Sequence, residues 1–427
     1  MKKKRFIGII VCCFVGLIIY TYVTLWCGKA DVDHRVVLCI PVYGQSLALG
    51  EEAERVTDFD QLKAVGNGRI VTENIDYNYG YFDGSMMKQN MKKLLHYRKR
   101  QPELSVYGMA ETAVSQLGAD TLLCVFTGGQ GTTALAHLSK GTPPYERFVA
   151  DIKRACTYVR EHGGQFVVPA ICWMQGESDL EDYPGTDFKA LLQQYCADIN
   201  RDVKAITGQA EPLKIICYQP NSVSRAKGFR ENNFVCPETE VPQSFVELLR
   251  VDTAFWASGP TYPYNFAREA IHIDGIGQKR LGTLAGYTVL SMLHQGQRQR
   301  GLIPLSTEAV DSTLVIHMNV PCPPLVIDTM LVAAMPHAGF KVVSQSNEDI
   351  AAEVLLDSCD VIIKCTQPVS GCKVRYAVNG TAGKSGRTNG PRGNLRDSQG
   401  ESRLVVIDGT SYPLHNWCYQ FDEEVTK

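Results

Sequence analysis

Four short segments carry the residue types that acyl-transfer chemistry needs. Gly44-Gln45-Ser46 follows the apolar run Val36–Ile40, and Gly128-Gly129-Gln130-Gly131-Thr132-Thr133 follows the run Thr121–Phe126. Trp173-Met174-Gln175-Gly176-Glu177-Ser178-Asp179 closes a third run, and Glu269-Ala270-Ile271-His272 precedes a helical stripe. Serine hydrolysis requires a hydroxyl with a base in reach, a carboxylate that orients the base, and donors for the oxyanion. The segments can supply all three. Ser46 would attack, His272 would carry the proton, and Glu269 would hold the imidazole. The amides of Ser46 and Gly131 and the carboxamide of Gln175 would face the oxyanion, with Gly176 and Glu177 beside them. Taken singly, each segment has an ordinary reading: a turn serine, a tight glycine turn, helix caps at Gln175 and Glu177. His137 is a second candidate base and Asp274 a second nearby carboxylate. Ala48 breaks the G-x-S-x-G pattern of the α/β-hydrolase elbow. The absence of Gly-Lys-Ser/Thr after the Gly-rich segment removes a nucleotide-phosphate loop.

The elements that must position these segments alternate along the chain. Val36–Ile40, Thr121–Phe126, Gln165–Trp173 and Leu213–Tyr218 are short and apolar on both parities, as strands covered on both faces read. Between them lie helical stripes: Phe148, Ile152, Ala155 and Val159; then Phe188, Leu191, Leu192, Tyr195 and Ile199 after the start signal Pro184-Gly185-Thr186. Leu281, Leu284, Ala285, Thr288, Val289 and Met292 make a last one. This alternation predicts an α/β domain with a parallel sheet and helices on both faces. Ligands of such sheets bind outside the carboxyl ends of the strands, where Ser46 would stand. Residues 51–104 interrupt the pattern and cluster Tyr77, Tyr79, Tyr81 and Phe82, which reads as a surface insertion or a substrate lid. Beyond about residue 302 the texture changes to short runs (Leu314–Ile316, Leu325–Ile327, Val361–Ile363, Leu404–Ile407) split by turn residues. That predicts a separate β-sandwich, with residues 379–403, rich in Gly, Asn, Ser and Arg, as loop. The expected organisation is an N-terminal anchor or signal peptide over 1–30, a catalytic domain over 31–300 and an accessory β-sandwich over 303–427.

The composition narrows the function classes. In 427 residues, 44% are apolar and 21% charged, with a formal net charge of −2, so the clustered basic charge of a nucleic-acid binder is missing. Lys2-Lys3-Lys4-Arg5 precedes an uncharged stretch from Phe6 to Cys27. That stretch is long enough to cross a hydrocarbon core of roughly 30 Å, and the basic flank places the body of the chain outside the cytoplasm. Gly28-Lys29-Ala30 leaves room for cleavage by a signal peptidase. The expected localisation is therefore the cell envelope or beyond, anchored through this segment or secreted. The 15 cysteines show no C-x-x-C and no zinc-type grouping with histidine. Most sit in apolar runs as small hydrophobes, while Cys359, Cys365, Cys372 and Cys418 could hold a disulfide after export.

In this order, the four segments resemble the four blocks of the SGNH (GDSL-like) hydrolases, and within them the sialate O-acetylesterase and acetylxylan esterase group. The matching residues are Gly44-Gln45-Ser46, Gly131-Thr132-Thr133, the complete Trp173-to-Asp179 block and Glu269-x-x-His272, over roughly residues 35–297. The resemblance implies a flavodoxin-like three-layer α/β/α fold and cofactor- and metal-free removal of O-acetyl groups from an acetylated carbohydrate, with Gln175 as the side-chain oxyanion donor. Three positions depart from the group's pattern. Leu47 stands where Asn is usual, the second block leaves Gly129 and Gly131 as alternatives, and the acid is Glu269 rather than Asp. Two other readings stay open: an esterase for longer acyl chains, and a non-catalytic glycan-binding surface protein.

Overall fold

The computed structural model describes residues 34–72, 92–93, 102–182, 186–221, 223–226, 240–296 and 298–425. The candidate anchor and the Tyr77–Phe82 cluster lie outside these residues. Among the described residues no helix is long and apolar enough to cross a membrane.

The four apolar runs form parallel strands, and three of them run on past the apolar stretch. Val36–Cys39 continues as Val42–Gly44, Thr121–Cys124 as Thr127–Gly129, and Gln165–Val167 as Ala170–Met174. The break in the first strand falls at Ile40-Pro41, where proline has no N–H to give to a ladder. Ile40 N–H still donates to Cys124 O at 2.9 Å and Val42 N–H to Phe126 O at 2.9 Å, so the sheet runs on across the break. Two strands lacked a sequence signal: the short Ile70–Thr72, and Phe255–Pro260, whose Ser258-Gly259-Pro260 end reads as a turn. In space the order is 92–93, 70–72, 121–129, 36–44, 165–174, 214–219, 255–260, all parallel except the two-residue antiparallel edge strand 92–93. Without the short outer strands 92–93 and 70–72, this is the 2-1-3-4-5 order of flavodoxin-like sheets. The first strand of the chain is thus central, with crossovers leaving it in both directions. That topological switch point opens a crevice at the carboxyl edge.

Side-chain alternation along the central strand divides the core. Val37, Cys39 and Tyr43 join one buried cluster, and Ile40 and Val42 the other. The first cluster is covered by helices Pro143–Glu161, Phe188–Thr207 and Glu240–Val251, the second by Ser105–Val114 and Gly275–Leu290. Below the carboxyl edge Tyr43 stacks on Phe148 with ring centroids 4.3 Å apart, and Trp173 meets Tyr195 at 4.6 Å. These large rings leave the central strands little freedom to shift.

The C-terminal region is all antiparallel. Ile303–Val310, Thr313–Asn319, Asp360–Cys365 and Ala351–Asp357 make a four-stranded sheet, and Phe340–Val343, Lys373–Tyr376 and Phe421–Glu424 a three-stranded one. Its apolar core is continuous with the first cluster of the α/β region. Gln219 and Gln420 lock the seam reciprocally: Gln219 Nε2 donates to Gln420 O at 2.8 Å, and Gln420 N–H to Gln219 Oε1 at 2.7 Å. The stretch 379–403, expected as loop, is irregular but in large part buried, because its polar side chains serve as the scaffold. Asn394 bonds the backbone of Asp328, Val332 and Met335, and Asp397 accepts from Cys322, Gln399 and Asn416. Cys359, Cys365, Cys372 and Cys418 are free thiols, not bridged.

Two glycines fix the spacing of the central strands at their carboxyl ends. A Cβ on Gly44 would lie 1.9 Å from Met174 O, and one on Gly129 1.8 Å from Gly44 O. Gly44→Ala is expected to lower stability by about 1–3 kcal/mol, the usual range for overpacking. A shift of the urea midpoint at unchanged m-value would measure it; an unchanged midpoint would contradict this packing.

Candidate active site

Ser46 follows the central strand directly. Its carbonyl accepts from Leu49 N–H and Glu51 N–H, both at 3.1 Å, and Leu47 O from Gly50 N–H at 3.2 Å, so residues 46–51 coil in a single tight turn. Gly50 (φ 70°) and Glu52 (φ 58°) end that turn in the left-handed region. For a residue with a Cβ such a backbone costs about 1–2 kcal/mol, so Glu52 is held there by its side chain's partners.

His272 comes from the other end of the α/β region. It sits on a small hairpin between the last parallel strand and helix Gly275–Leu290, closed by Ala267 N–H to His272 O at 2.8 Å and Asp274 N–H to Asn265 O at 3.0 Å. Asp274 caps the helix by accepting from Gly277 N–H at 2.7 Å, which removes it as a partner of the imidazole. Burial raises the Asp274 pKa.

The hairpin brings His272 to both ends of the serine turn. Nε2 lies 2.8 Å from Ser46 Oγ, and Nδ1 lies 2.8 Å from Glu52 Oε2. The carboxylate, an acceptor only, selects the tautomer with the proton on Nδ1. Nε2 is then left to accept the serine proton. Arg268 reaches the second Glu52 oxygen at 2.7 Å. The hydrogen bond from His272, with the charges of His272 and Arg268, holds the Glu52 carboxyl below the usual range despite partial burial. The His272 side chain is 13% exposed and that of Arg268 83% exposed.

Glu269, expected as the orienting acid, is turned elsewhere. Its Oε1 accepts from Asn389 Nδ2 at 2.7 Å and its Oε2 pairs with Lys384 Nζ at 3.3 Å. The hairpin tip explains this. Arg268 (φ 55°) and Glu269 (φ 52°) are consecutive left-handed residues, so no helical turn links Glu269 to His272. Glu52 carried no motif. A carboxylate six residues past a candidate nucleophile becomes a partner only once the turn has coiled. His137, the second candidate base, has an exposed side chain.

The wall beside Ser46 also differs from expectation. Gln175 is fully buried and its Nε2 donates both to Thr133 O at 3.2 Å and to the Asp179 carboxylate. Both amide protons are therefore committed, and the side chain ties the Gly-rich segment to its own block rather than offering an oxyanion donor. Asp179 also accepts from Leu135 N–H at 2.9 Å. Burial raises its pKa while these bonds oppose the shift. The amides of Ser46 and Gly131 donate to no group among the described residues. Gly131 is followed by Thr132 in the left-handed region, φ 53°. Gly176 is packed against Pro220 and Val241, and Glu177 is 2% exposed, so neither borders open space. Among the described residues no group of three or more His, Cys, Asp or Glu could hold a metal ion.

Glu177 is held by a donated bond from the Tyr218 hydroxyl to Oε1, while its Oε2 is buried without a partner. Burial pushes its pKa up to about 7. The neutral acid is therefore the form the fold prefers. Its contribution to stability is complete below the unfolded value near 4.5 and is lost as pH rises through about 7. Glu177→Gln is expected to make unfolding less pH-dependent between pH 5 and 8, with a relative gain at pH 8 on the order of 3 kcal/mol. Urea melts of both proteins at the two pH values measure it. Parallel pH profiles would mean that Glu177 is ionised in the native state.

No protein-family model and no curated protein sequence matches the chain. Among solved structures, the chain is similar to a carbohydrate acetylesterase from Xanthomonas citri (TM-score 0.59, 14% identity, 91% of this chain and 80% of that one). It also matches a protein from Arabidopsis thaliana (TM-score 0.42, 15% identity, 60% and 98% of the two chains) and NanS (0.42, 11%, 62% and 99%). The first likeness shows the fold: a three-layer α/β/α domain followed by antiparallel β-structure.

Proposed function

We propose that this chain is an exported serine esterase that removes O-acetyl groups from a carbohydrate through an acetyl-enzyme. One observation carries the reading: a single imidazole lies 2.8 Å from a serine hydroxyl on one side and 2.8 Å from a carboxylate on the other. The sugar ester and the export are supported by the motif blocks and the N-terminal basic-apolar segment. The Xanthomonas citri neighbour, a carbohydrate acetylesterase, is in keeping with the sugar ester.

Ser46 Oγ adds to the acetyl carbonyl as its proton passes to His272 Nε2. Glu52 stabilises the imidazolium that forms, and the amides of Ser46 and Gly131 are the donors for the oxyanion. The tetrahedral adduct expels the sugar oxygen, which takes the proton from Nε2 and leaves as the alcohol. Water then gives one proton to Nε2 and its hydroxyl to the acetyl carbon. Collapse of this second adduct returns the proton from Nε2 to Ser46 and releases acetic acid, which ionises to acetate in solvent. Glu52, with its low pKa, stays ionised throughout.

Ser46→Ala is expected to abolish acetate release from p-nitrophenyl acetate and acetylated sugars, and full activity in that variant would refute the mechanism. Glu52→Gln is expected to lower kcat by 10²- to 10⁴-fold, the effect of offering the histidine the wrong partner, while Glu269→Gln leaves kcat within a few-fold. The reverse order would return the orienting role to Glu269. Acetyl esters should be cleaved faster than octanoyl esters; the opposite preference would make the chain an esterase for longer acyl groups.

A further inference from the structure

The hairpin that carries His272 is closed by its own backbone bonds, but its tip is held from outside. Its tip, Arg268-Glu269, is left-handed at two consecutive residues, a backbone that persists only when surrounding groups over-determine it. Arg268 is tied to Glu52. Among the described residues, both polar partners of the Glu269 side chain come from the C-terminal region. Asn389 Nδ2 donates to Oε1 at 2.7 Å, and Lys384 Nζ stands 3.3 Å from Oε2. The backbone is gripped as well. Ser385 N–H donates to Glu269 O at 2.9 Å and Arg387 N–H to Tyr264 O at 3.1 Å, while Arg387 Nε donates to Asn265 Oδ1 at 2.7 Å.

The gripping loop is itself anchored beneath the site. The buried Asn221, just past the strand Lys214–Gln219, accepts from Gly386 N–H at 2.8 Å and donates to Pro391 O at 2.7 Å; its carbonyl accepts from Ser385 Oγ at 3.1 Å. Gly386 lies against Phe266 and Tyr264 O so closely that a Cβ there would come within 2.9 Å of each. The loop is thus fastened to the sheet on one side and to the first strand and the tip of the hairpin on the other.

We infer that the C-terminal region is part of the catalytic apparatus: its 384–389 loop clamps the His272 hairpin, with Glu269 as the hook and Lys384, Arg387 and Asn389 as positioning residues. The clamp touches no reacting atom. It acts by setting where the imidazole stands between Ser46 and Glu52, and it rests on the esterase reading above. An error of an ångström in such a contact is enough to cost about 10²-fold in rate.

The test uses the full chain with Glu269→Ala, Asn389→Ala, the double variant and Glu269→Gln. Each Ala variant is expected to lower kcat on p-nitrophenyl acetate by on the order of tenfold, with KM unchanged within twofold. The double variant should be no worse than Glu269→Ala alone, since that change already removes the Asn389 contact. Glu269→Gln, which keeps the acceptor for Asn389, should restore most of the activity. Hydrogen exchange of amides 265–274 should quicken in the Ala variants and not in Glu269→Gln. That readout needs no turnover, so it separates failure of the clamp from failure of the esterase reading. Unchanged kcat with unchanged exchange in Glu269→Ala would overturn the clamp. So would a Glu269→Gln variant as impaired as Glu52→Gln, which would make the Glu269 charge the imidazole's own partner.

Discussion

One imidazole has to be reached from both of its nitrogens, and much of the architecture answers to that requirement. A histidine serves as base only when its second nitrogen is occupied by an acceptor that fixes the tautomer. Here Ser46 and Glu52 flank His272 from the two ends of one tight turn. The turn must start at a strand end that cannot move. Ring packing around Tyr43 and Trp173 and the close approach of strands at Gly44 provide that rigidity. The histidine must arrive from a hairpin more than 200 residues later in the chain, with its tip held in a strained backbone. Glu52 and the C-terminal loop hold it from opposite sides.

The polar groups under the site divide the work between charge and structure. Glu52 stays ionised because an imidazole and a guanidinium face it at a partly exposed position. Glu177, two residues past Gln175, is driven toward neutrality by complete burial with one oxygen unpartnered. Gln175 and Asp179 bind each other and the Gly-rich segment, so the most distinctive block of the sequence stiffens the wall of the crevice. Its side chains are the joinery between three strand ends, and the nearby amides of Ser46 and Gly131 donate to no group among the described residues.

The C-terminal region illustrates why composition can mislead. Residues 379–403 have the glycine, asparagine and arginine content of an exposed connection. They are nevertheless buried in large part, because Asn394, Asp397 and Arg396 satisfy backbone groups that burial would otherwise strand. Small residues such as Gly386 then allow backbone to lie on backbone. An accessory module tethered by a linker would leave the seam open to water. Here one apolar cluster runs through both regions.

The alternation of apolar runs with helical stripes was enough to determine the layered fold, because strands buried on both faces and helices buried on one must have those periods. That Ser46 and His272 could be brought together was legible for a related reason: both stand at element ends, inside blocks of recognisable order. The antiparallel C-terminal strands were visible in their short apolar runs. What the tertiary structure decided is the set of contacts between segments remote in sequence. Whether Glu52, Glu269 or Asp274 faces the imidazole depends on how one turn coils, on two left-handed residues at a hairpin tip and on a helix cap. None of these has a period or a composition. The same holds for Gln175, whose donors were assigned by acceptors 42 and 4 residues away. Periodicity reports which face is buried, whereas hydrogen-bond partners are chosen by distance in space.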